Sequence, residues 1–255
     1  MIRLPELSAD PNAPFPPIER ALDEPEGLLA LGGDLSVVRL RNAYAAGIFP
    51  WFSDGQPILW WSPNPRMLLR PSELKISRSL RRHLRRSAWR ISLNSDFQQV
   101  IDHCARLPRR GQRGTWITRE MQRAYCQLHG SGLAHSLEVW DSQGIVGGIY
   151  GVALGRFFFG ESMFSLQTNG SKTAITALCR AISLLGLEWL DGQVESEHLA
   201  SLGFSPRSRA AFAAELRKSP ATPLDPTDLA LDLLQPAQLA TWQPADNPAQ
   251  HESTR

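Results

Sequence analysis

Cysteine is scarce in this chain of 255 residues: Cys104, Cys126 and Cys179 stand far apart. An odd count without a C-x-x-C pair excludes a zinc knuckle and a disulfide framework. It fits a reducing compartment. Long apolar runs are lacking too. No segment approaches the roughly 20 apolar residues of a membrane helix. The start, Met1-Ile2-Arg3-Leu4-Pro5, carries no apolar signal core. These absences predict a soluble, cytoplasmic protein with no membrane partner. Familiar cofactor motifs are missing as well. There is no G-x-G-x-x-G after a strand, no G-x-S-x-G elbow and no H-E-x-x-H. Gly170-Ser171-Lys172-Thr173 lacks the earlier glycine that a phosphate loop requires. The six histidines are dispersed. No ATP, NAD or zinc chemistry is supported, and no cofactor or metal site is expected. Acids are rare in one region: Lys75 to Arg113 holds eleven Lys/Arg against Asp96 and Asp102. A positive field confined to one segment points to a polyanionic partner.

What is present reads as an α+β chain with a sizeable core. Residues 1–27 are proline-rich and predict irregular, extended backbone. Gly32-Gly33-Asp34-Leu35-Ser36 turns into a short helix, about 37 to 46, capped by Asp34 or Ser36. Trp51, Phe52, Trp60 and Trp61 make an aromatic cluster. Such density serves a core, or a platform on which bases stack. Pro63 and Pro65 then break the chain. The expected organisation is residues 1–64 as a small N-terminal domain, 65–218 as a larger second domain and 219–255 as a mobile tail. The last stretch is proline-rich, with one helical turn near Leu231. A monomer is the expected state.

The densest information lies between Tyr150 and Gln193. Two apolar runs flank Leu154-Gly155-Arg156, a hairpin signal. The second run ends at Glu161, whose charge is costly to bury without a partner. Ala174, Ile175, Leu178, Ala181, Ile182 and Leu185 then recur at helical spacing, and Gly186 stops the helix. Glu188-Trp189-Leu190 reads as a strand delivering Asp191 and Gln193 to one face, because alternate strand residues share a side. Solvated polar groups at a strand tip are the plainer reading of that pair. Residues 77–87 read as a helix with Leu80 and Leu84 on one side. Arg78, Arg81, Arg82, Arg85 and Arg86 fan over the other, joined by Lys75. Five arginines without acids to pair them suit a phosphate backbone, although a solvated face has the same pattern. Helices are further expected from Ser95, its cap, to Leu107, and from Thr118 to His129. Pro108 to Gly114 reads as a basic loop.

The order of strands and helices is similar to that of GNAT-type acyltransferases. However, the turn at Leu166 to Ser171 lacks their R/Q-x-x-G-x-G/A pyrophosphate pattern. A different acyl donor is implied, with RNA as the candidate. A thioester-dependent acyltransferase and a catalytically inactive RNA-binding module are the alternatives. The residues Gly32-Gly33-Asp34-Leu35, Gly47-Ile48-Phe49-Pro50-Trp51-Phe52, Trp60-Trp61-Ser62-Pro63, Gly114-Thr115-Trp116-Ile117-Thr118, Gly160-Glu161-Ser162-Met163-Phe164-Ser165, Asp191-Gly192-Gln193 and His198 to Gly203 go further. In this order they closely resemble the bacterial leucyl/phenylalanyl-tRNA–protein transferase family over about residues 15–207. The resemblance implies a GNAT-like C-terminal domain whose mixed, mostly antiparallel sheet is flanked by helices. It implies transfer of Leu or Phe, sometimes Met, from aminoacyl-tRNA to proteins with an N-terminal Arg or Lys, making a degradation signal. It further implies that Asp191 and Gln193 are catalytic and that Glu161 contacts the aminoacyl amino group. Ile149, Phe158, Ile175, Leu178, Ile182 and Leu190 would line the side-chain pocket. Tyr44, Trp51, Trp116 and Tyr125 would hold the terminal adenosine, and the arginine helix would hold the tRNA body.

Overall fold

A computed structural model describes residues 4–107, 116–227 and 229–245. The basic loop read at 108–114, with Thr115 of its neighbouring motif, and the end of the tail from residue 246 lie outside the described residues. In chain order the elements are β1 (Glu6–Leu7), β2 (Leu28–Gly32), α1 (Val37–Ala45), β3 (Phe49–Pro50) and β4 (Leu59–Trp61). Next come β5 (Arg66–Leu69), α2 (Arg78–Arg86), β6 (Arg90–Leu93), α3 (Phe97–Arg106), α4 (Arg119–Gly130), β7 (Ala134–Trp140), β8 (Ile145–Leu154) and β9 (Phe157–Ser165). The rest are α5 (Gly170–Leu184), β10 (Trp189–Gln193), α6 (Glu197–Leu202), β11 (Ser205–Arg207), α7 (Arg209–Arg217) and α8 (Pro236–Thr241). The helices begin where short polar side chains can accept an orphan N–H. Ser36, Ser77, Thr118, Ser196 and Ser208 each accept from the backbone three residues on. For α3 the cap is Asp96 and not Ser95. The Asp96 carboxylate takes the Gln99 N–H at 2.9 Å, so the helix starts one residue later than the sequence suggests.

Two mixed sheets result. The smaller has the order β1-β2-β4-β3 and the larger β11-β5-β10-β9-β8-β7-β6. In the larger, β9 and β10 run parallel and the other neighbours antiparallel. The parallel pair is joined through α5. Its two faces follow the period of two. Tyr150, Val152, Phe157 and Phe159 join an apolar cluster with α1, α3, α4 and the small sheet. Ile149, Ala153, Phe158 and Leu190 join another with α2, α5 and α8. The hairpin turns at Gly155, at φ +59°. At the other end of β8, a Cβ on Gly147 would lie 2.4 Å from the Gly170 carbonyl carbon. Strand and helix start therefore touch backbone to backbone there, and a side chain would push α5 off the sheet.

Residues 219–245 are not a loose tail, where described. Leu234, Leu239, Ala240 and Trp242 are buried against α2 and α5. The Gln235 amide takes the place of a strand partner for β6, bonding both the N–H and the carbonyl of Ile91. Ser219 Oγ and the Thr222 carbonyl bind the hairpin turn at Arg156 and Gly155. Proline removes backbone donors but not the apolar side chains between the prolines. Their burial fixes the segment.

Candidate active site

Two bulges build the site. Along β8 and β9, Tyr150 pairs with Ser162 and Gly151 with Gly160, leaving Glu161 as the extra residue. Along β5 and β10, Leu68 pairs with Asp191 and Met67 with Gln193, leaving Gly192 unpaired. Gln193 takes φ +62°, so the simple strand alternation expected of Asp191 and Gln193 does not hold. Bulges re-aim side chains in this way. Pairing of β9 with β10 ends at Phe159 and Asp191. Beyond that point the two strands part, and both line a cavity of about 940 Å³.

The polar floor is a continuous network. Arg66 Nε lies 2.9 Å from both Asp191 carboxylate oxygens, and its Nη2 lies 2.7 Å from Oδ2. Both residues are fully buried. The guanidinium also lies between the rings of Phe49 and Phe212, 5.0 and 4.7 Å from their centroids. The backbone N–H of Gln193 donates to Asp191 Oδ1 at 2.8 Å, and its Nε2 donates to Glu161 Oε1 at 2.6 Å. Gln193 thus ties the two carboxyl groups together. Tyr44 Oη donates to Glu161 Oε1 at 2.7 Å, and Tyr125 Oη lies 3.0 Å from Oε2. Burial pushes the Glu161 carboxyl up to about 7, against these hydrogen bonds, with the Asp191 charge adding to the push. Burial, then the Glu161 charge, holds the Tyr44 and Tyr125 phenols well above their ordinary range.

The walls divide the predicted residues. Ile149, Ile175 and Leu190 line the cavity, as do Phe49, Pro50, Met163, Phe164, Val194, Leu199 and Phe204. Phe158, Leu178 and Ile182 do not. They lie in the core behind the wall, each 1–2% exposed, because the sheet face and the inner side of α5 cover them. Trp51 and Trp116 stand on the cavity. Trp51 is 37% exposed, its ring is 5.5 Å from that of Trp61, and its carbonyl is held by the Trp61 indole N–H. Tyr44 and Tyr125 are instead wholly buried behind Glu161, so neither ring has a face open to a base. Their sequence-based adenosine role is corrected to one of holding the carboxyl.

Beside the cavity, Arg82 and Arg86 line a second cleft with Asp141 and Gln167. Ser165, on the wall of the main cavity, donates to the Gln167 carbonyl, so the two hollows adjoin. Lys75, Arg78, Arg82, Arg85 and Arg86 are exposed and form no ion pair among the described residues. Arg81 differs. Its Nη1 donates to the carbonyls of Ala240 and Trp242, and its Nη2 to Gln243. That half-buried guanidinium is engaged by the docked C-terminal segment, unlike its neighbours. Arg66 escaped sequence reading altogether. An arginine placed directly before Met67-Leu68-Leu69, inside an apolar strand, was the signal: a charge there must be paired.

No group of three or more His, Cys, Asp or Glu side chains among the described residues is arranged to hold a metal ion. No helix among them is long and apolar enough to cross a membrane. The family described as leucyl/phenylalanyl-tRNA protein transferase matches residues 68–217, and the N-terminal domain of that family matches residues 33–64. A leucyl/phenylalanyl-tRNA–protein transferase of Xanthomonas axonopodis pv. citri is 56% identical over 220 residues, covering 86% of this chain and 88% of that protein. One from Xanthomonas euvesicatoria pv. vesicatoria is 55% identical over 212 residues, 83% of this chain and 85% of that protein. A third, from Burkholderia vietnamiensis, is 53% identical over 221 residues, 84% and 87% of the two chains.

Proposed function

Because the chain belongs to the leucyl/phenylalanyl-tRNA protein transferase family, we propose that it is an aminoacyltransferase that moves a leucyl or phenylalanyl group from tRNA to a protein. The acceptor is a chain with N-terminal Arg or Lys, and the product is a signal for proteolysis. Methionyl-tRNA serves as an occasional donor. One observation carries the reading: Gln193 bridges Glu161 and Asp191 on the floor of a cavity with apolar walls and a tryptophan rim. The amino acid side chain enters between Ile149, Ile175 and Leu190. Its adenosine rests against Trp51 and Trp116, since any base offers a face for stacking. The tRNA body continues over the adjoining cleft to the free arginines of α2.

The chemistry asks little beyond alignment. The donor ester is already activated, and placing an amine against it can supply most of the acceleration. A model α-amine has a pKa of about 7.7–8.0, so a useful fraction is neutral at pH 7. Asp191 orients and does not take the proton, because Arg66 and the Gln193 N–H already occupy its oxygens. It fixes the bulge at Gln193, whose side-chain oxygen is left to accept an N–H of the incoming amine. Apolar walls separate similar side chains by only about 1–3 kcal/mol, so Leu and Phe both pass. Purified protein given charged Leu-, Phe- or Val-tRNA with an Arg-starting peptide should transfer the first two and not the third. No transfer from either Leu- or Phe-tRNA rejects the proposal.

A further inference from the structure

Tyr44 on α1, Tyr125 on α4 and Glu161 on β9 close a triangle inside the protein. Tyr44 Oη is 2.7 Å from Oε1, Tyr125 Oη is 3.0 Å from Oε2, and the two phenol oxygens touch one another in a short hydrogen bond. Each of these three contacts needs a proton between its oxygens. The two phenols supply two. If Glu161 were a carboxylate, both phenol protons would point at it, and the tyrosine oxygens would meet lone pair to lone pair. A neutral carboxylic acid supplies the third proton and gives a ring with one direction: Oε2–H to Tyr125, Tyr125 to Tyr44, and Tyr44 to Oε1. Gln193 Nε2 donates to Oε1 as well, which leaves Oε2 as the oxygen that carries the hydrogen. One-way rings of this kind are mutually reinforcing.

The surroundings agree. Among the described residues no cation pairs with Glu161. The charged group that acts on it is Asp191 on β10, which disfavours a second anion, and the Asp191 charge is itself answered by Arg66 on β5. Tyr150 on β8 faces Tyr125, with ring centroids 5.7 Å apart, and adds no positive charge.

We propose that Glu161 is a protonated acid in the substrate-free protein, its hydrogen shared round Tyr125 and Tyr44. When the primary ammonium of an aminoacyl ester settles on it, the acid ionises. The O–H bond of the carboxyl breaks, the proton leaves to solvent, and the carboxylate holds the ammonium as an ion pair. Tyr44 and Tyr125 then both donate to the anion. This second half rests on the reading of the cavity as the donor site, whereas the first half stands on the triangle alone. The device lets an apolar pocket stay uncharged when empty and become anionic only when a cation arrives.

Difference infrared spectroscopy tests both halves. At about pH 6, below the range of a free α-amine, wild type should show a neutral carboxyl C=O band that Glu161→Gln lacks. Tyr125→Phe, which removes the acceptor of the acid hydrogen, should keep the band but move it to higher frequency. That variant serves if Glu161→Gln fails to fold. No such band in wild type, or a band that Tyr125→Phe leaves unmoved, overturns the proposal. Adding a leucyl-adenosine analogue with an amide in place of the ester should bleach the band. Calorimetry in two buffers of different ionisation enthalpy should then count close to one proton released per molecule bound. Binding with the band intact and no proton released overturns the ionisation step. An analogue that does not bind at all counts against the donor-site reading, and the free-protein band still judges the ring.

Discussion

Arg66 and Asp191 are both shut away from water, and neither could be so alone. A buried ion taken out of water costs several kcal/mol unless geometry and added hydrogen bonds answer it. Here three guanidinium contacts, the Gly47 carbonyl and two aromatic faces do so. Arg66→Leu should therefore cost about 3–5 kcal/mol, because it strands a naked carboxylate in the core. Asp191→Leu should cost a similar amount. The double variant should recover most of the loss, as a urea-unfolding double-mutant cycle would measure. Additive losses would show that the two side chains do not act as a unit. The same geometry bears on the catalytic part that the family resemblance implies for Asp191, because Arg66 and the Gln193 N–H already occupy its carboxylate oxygens. Nothing along the chain marks Arg66, 125 positions away, as its partner.

The arginine helix shows what an element inherits from its neighbours. The α2 pattern alone makes Arg78, Arg81, Arg82, Arg85 and Arg86 equivalent. Docking of α8 separates them, since only Arg81 caps the carbonyls of Ala240 and Trp242. Arg82→Glu with Arg85→Glu should weaken tRNA binding strongly and flatten its salt dependence, while a minimal aminoacyl-adenosine donor is still turned over. Every arginine–phosphate pair removed should lower the slope of log affinity against log salt by about one. Arg81→Ala should leave that slope unchanged and instead lower thermal stability by loosening 236–243. Equal loss on both donors after the Arg82 and Arg85 changes would show that α2 does not hold the tRNA body. The β8–β9 hairpin divides in the same way. Its turn was legible in Leu154-Gly155-Arg156, and its strands in the apolar runs. The bulge that swings Glu161 to the cavity was not, because register belongs to a pair of strands and not to either one.

For the molecule as a whole, two buried groups oppose each other as pH changes. Glu161 titrates near 7 in the fold, against 4.5 in the unfolded chain. The native state then holds the extra proton between those values, and its contribution to stability is lost as pH rises from about 4.5 to 7. Burial, helped by His129, lowers His135 from 6.5 to about 4. There the unfolded chain holds the extra proton, so its contribution is lost as pH falls from about 6.5 to 4. The two windows overlap and the effects are of similar size, about 3 kcal/mol each. Wild-type stability should therefore change little across this range on their account. Glu161→Gln should unmask stability that rises with pH, and His135→Asn stability that falls. Urea midpoints measured from about pH 4.5 to 7 would decide, and parallel curves for all three proteins would refute the assignment.

The sequence by itself determined most of the elements, most of their caps and the family. Short polar residues at helix starts, period-two apolar runs and a glycine turn act over a few positions, and the motifs from Gly32 to Gly203 are local strings. It also singled out Glu161, Asp191 and Gln193, which the fold brings together on the floor of one cavity. Only the tertiary structure decided which partners each of them has. Burial and partnership are properties of distant residues meeting: Arg66 with Asp191, two tyrosines with Glu161, and α8 with Arg81. A side chain's charge state is set by the whole shell that closes around it, and that shell exists only once the chain has folded.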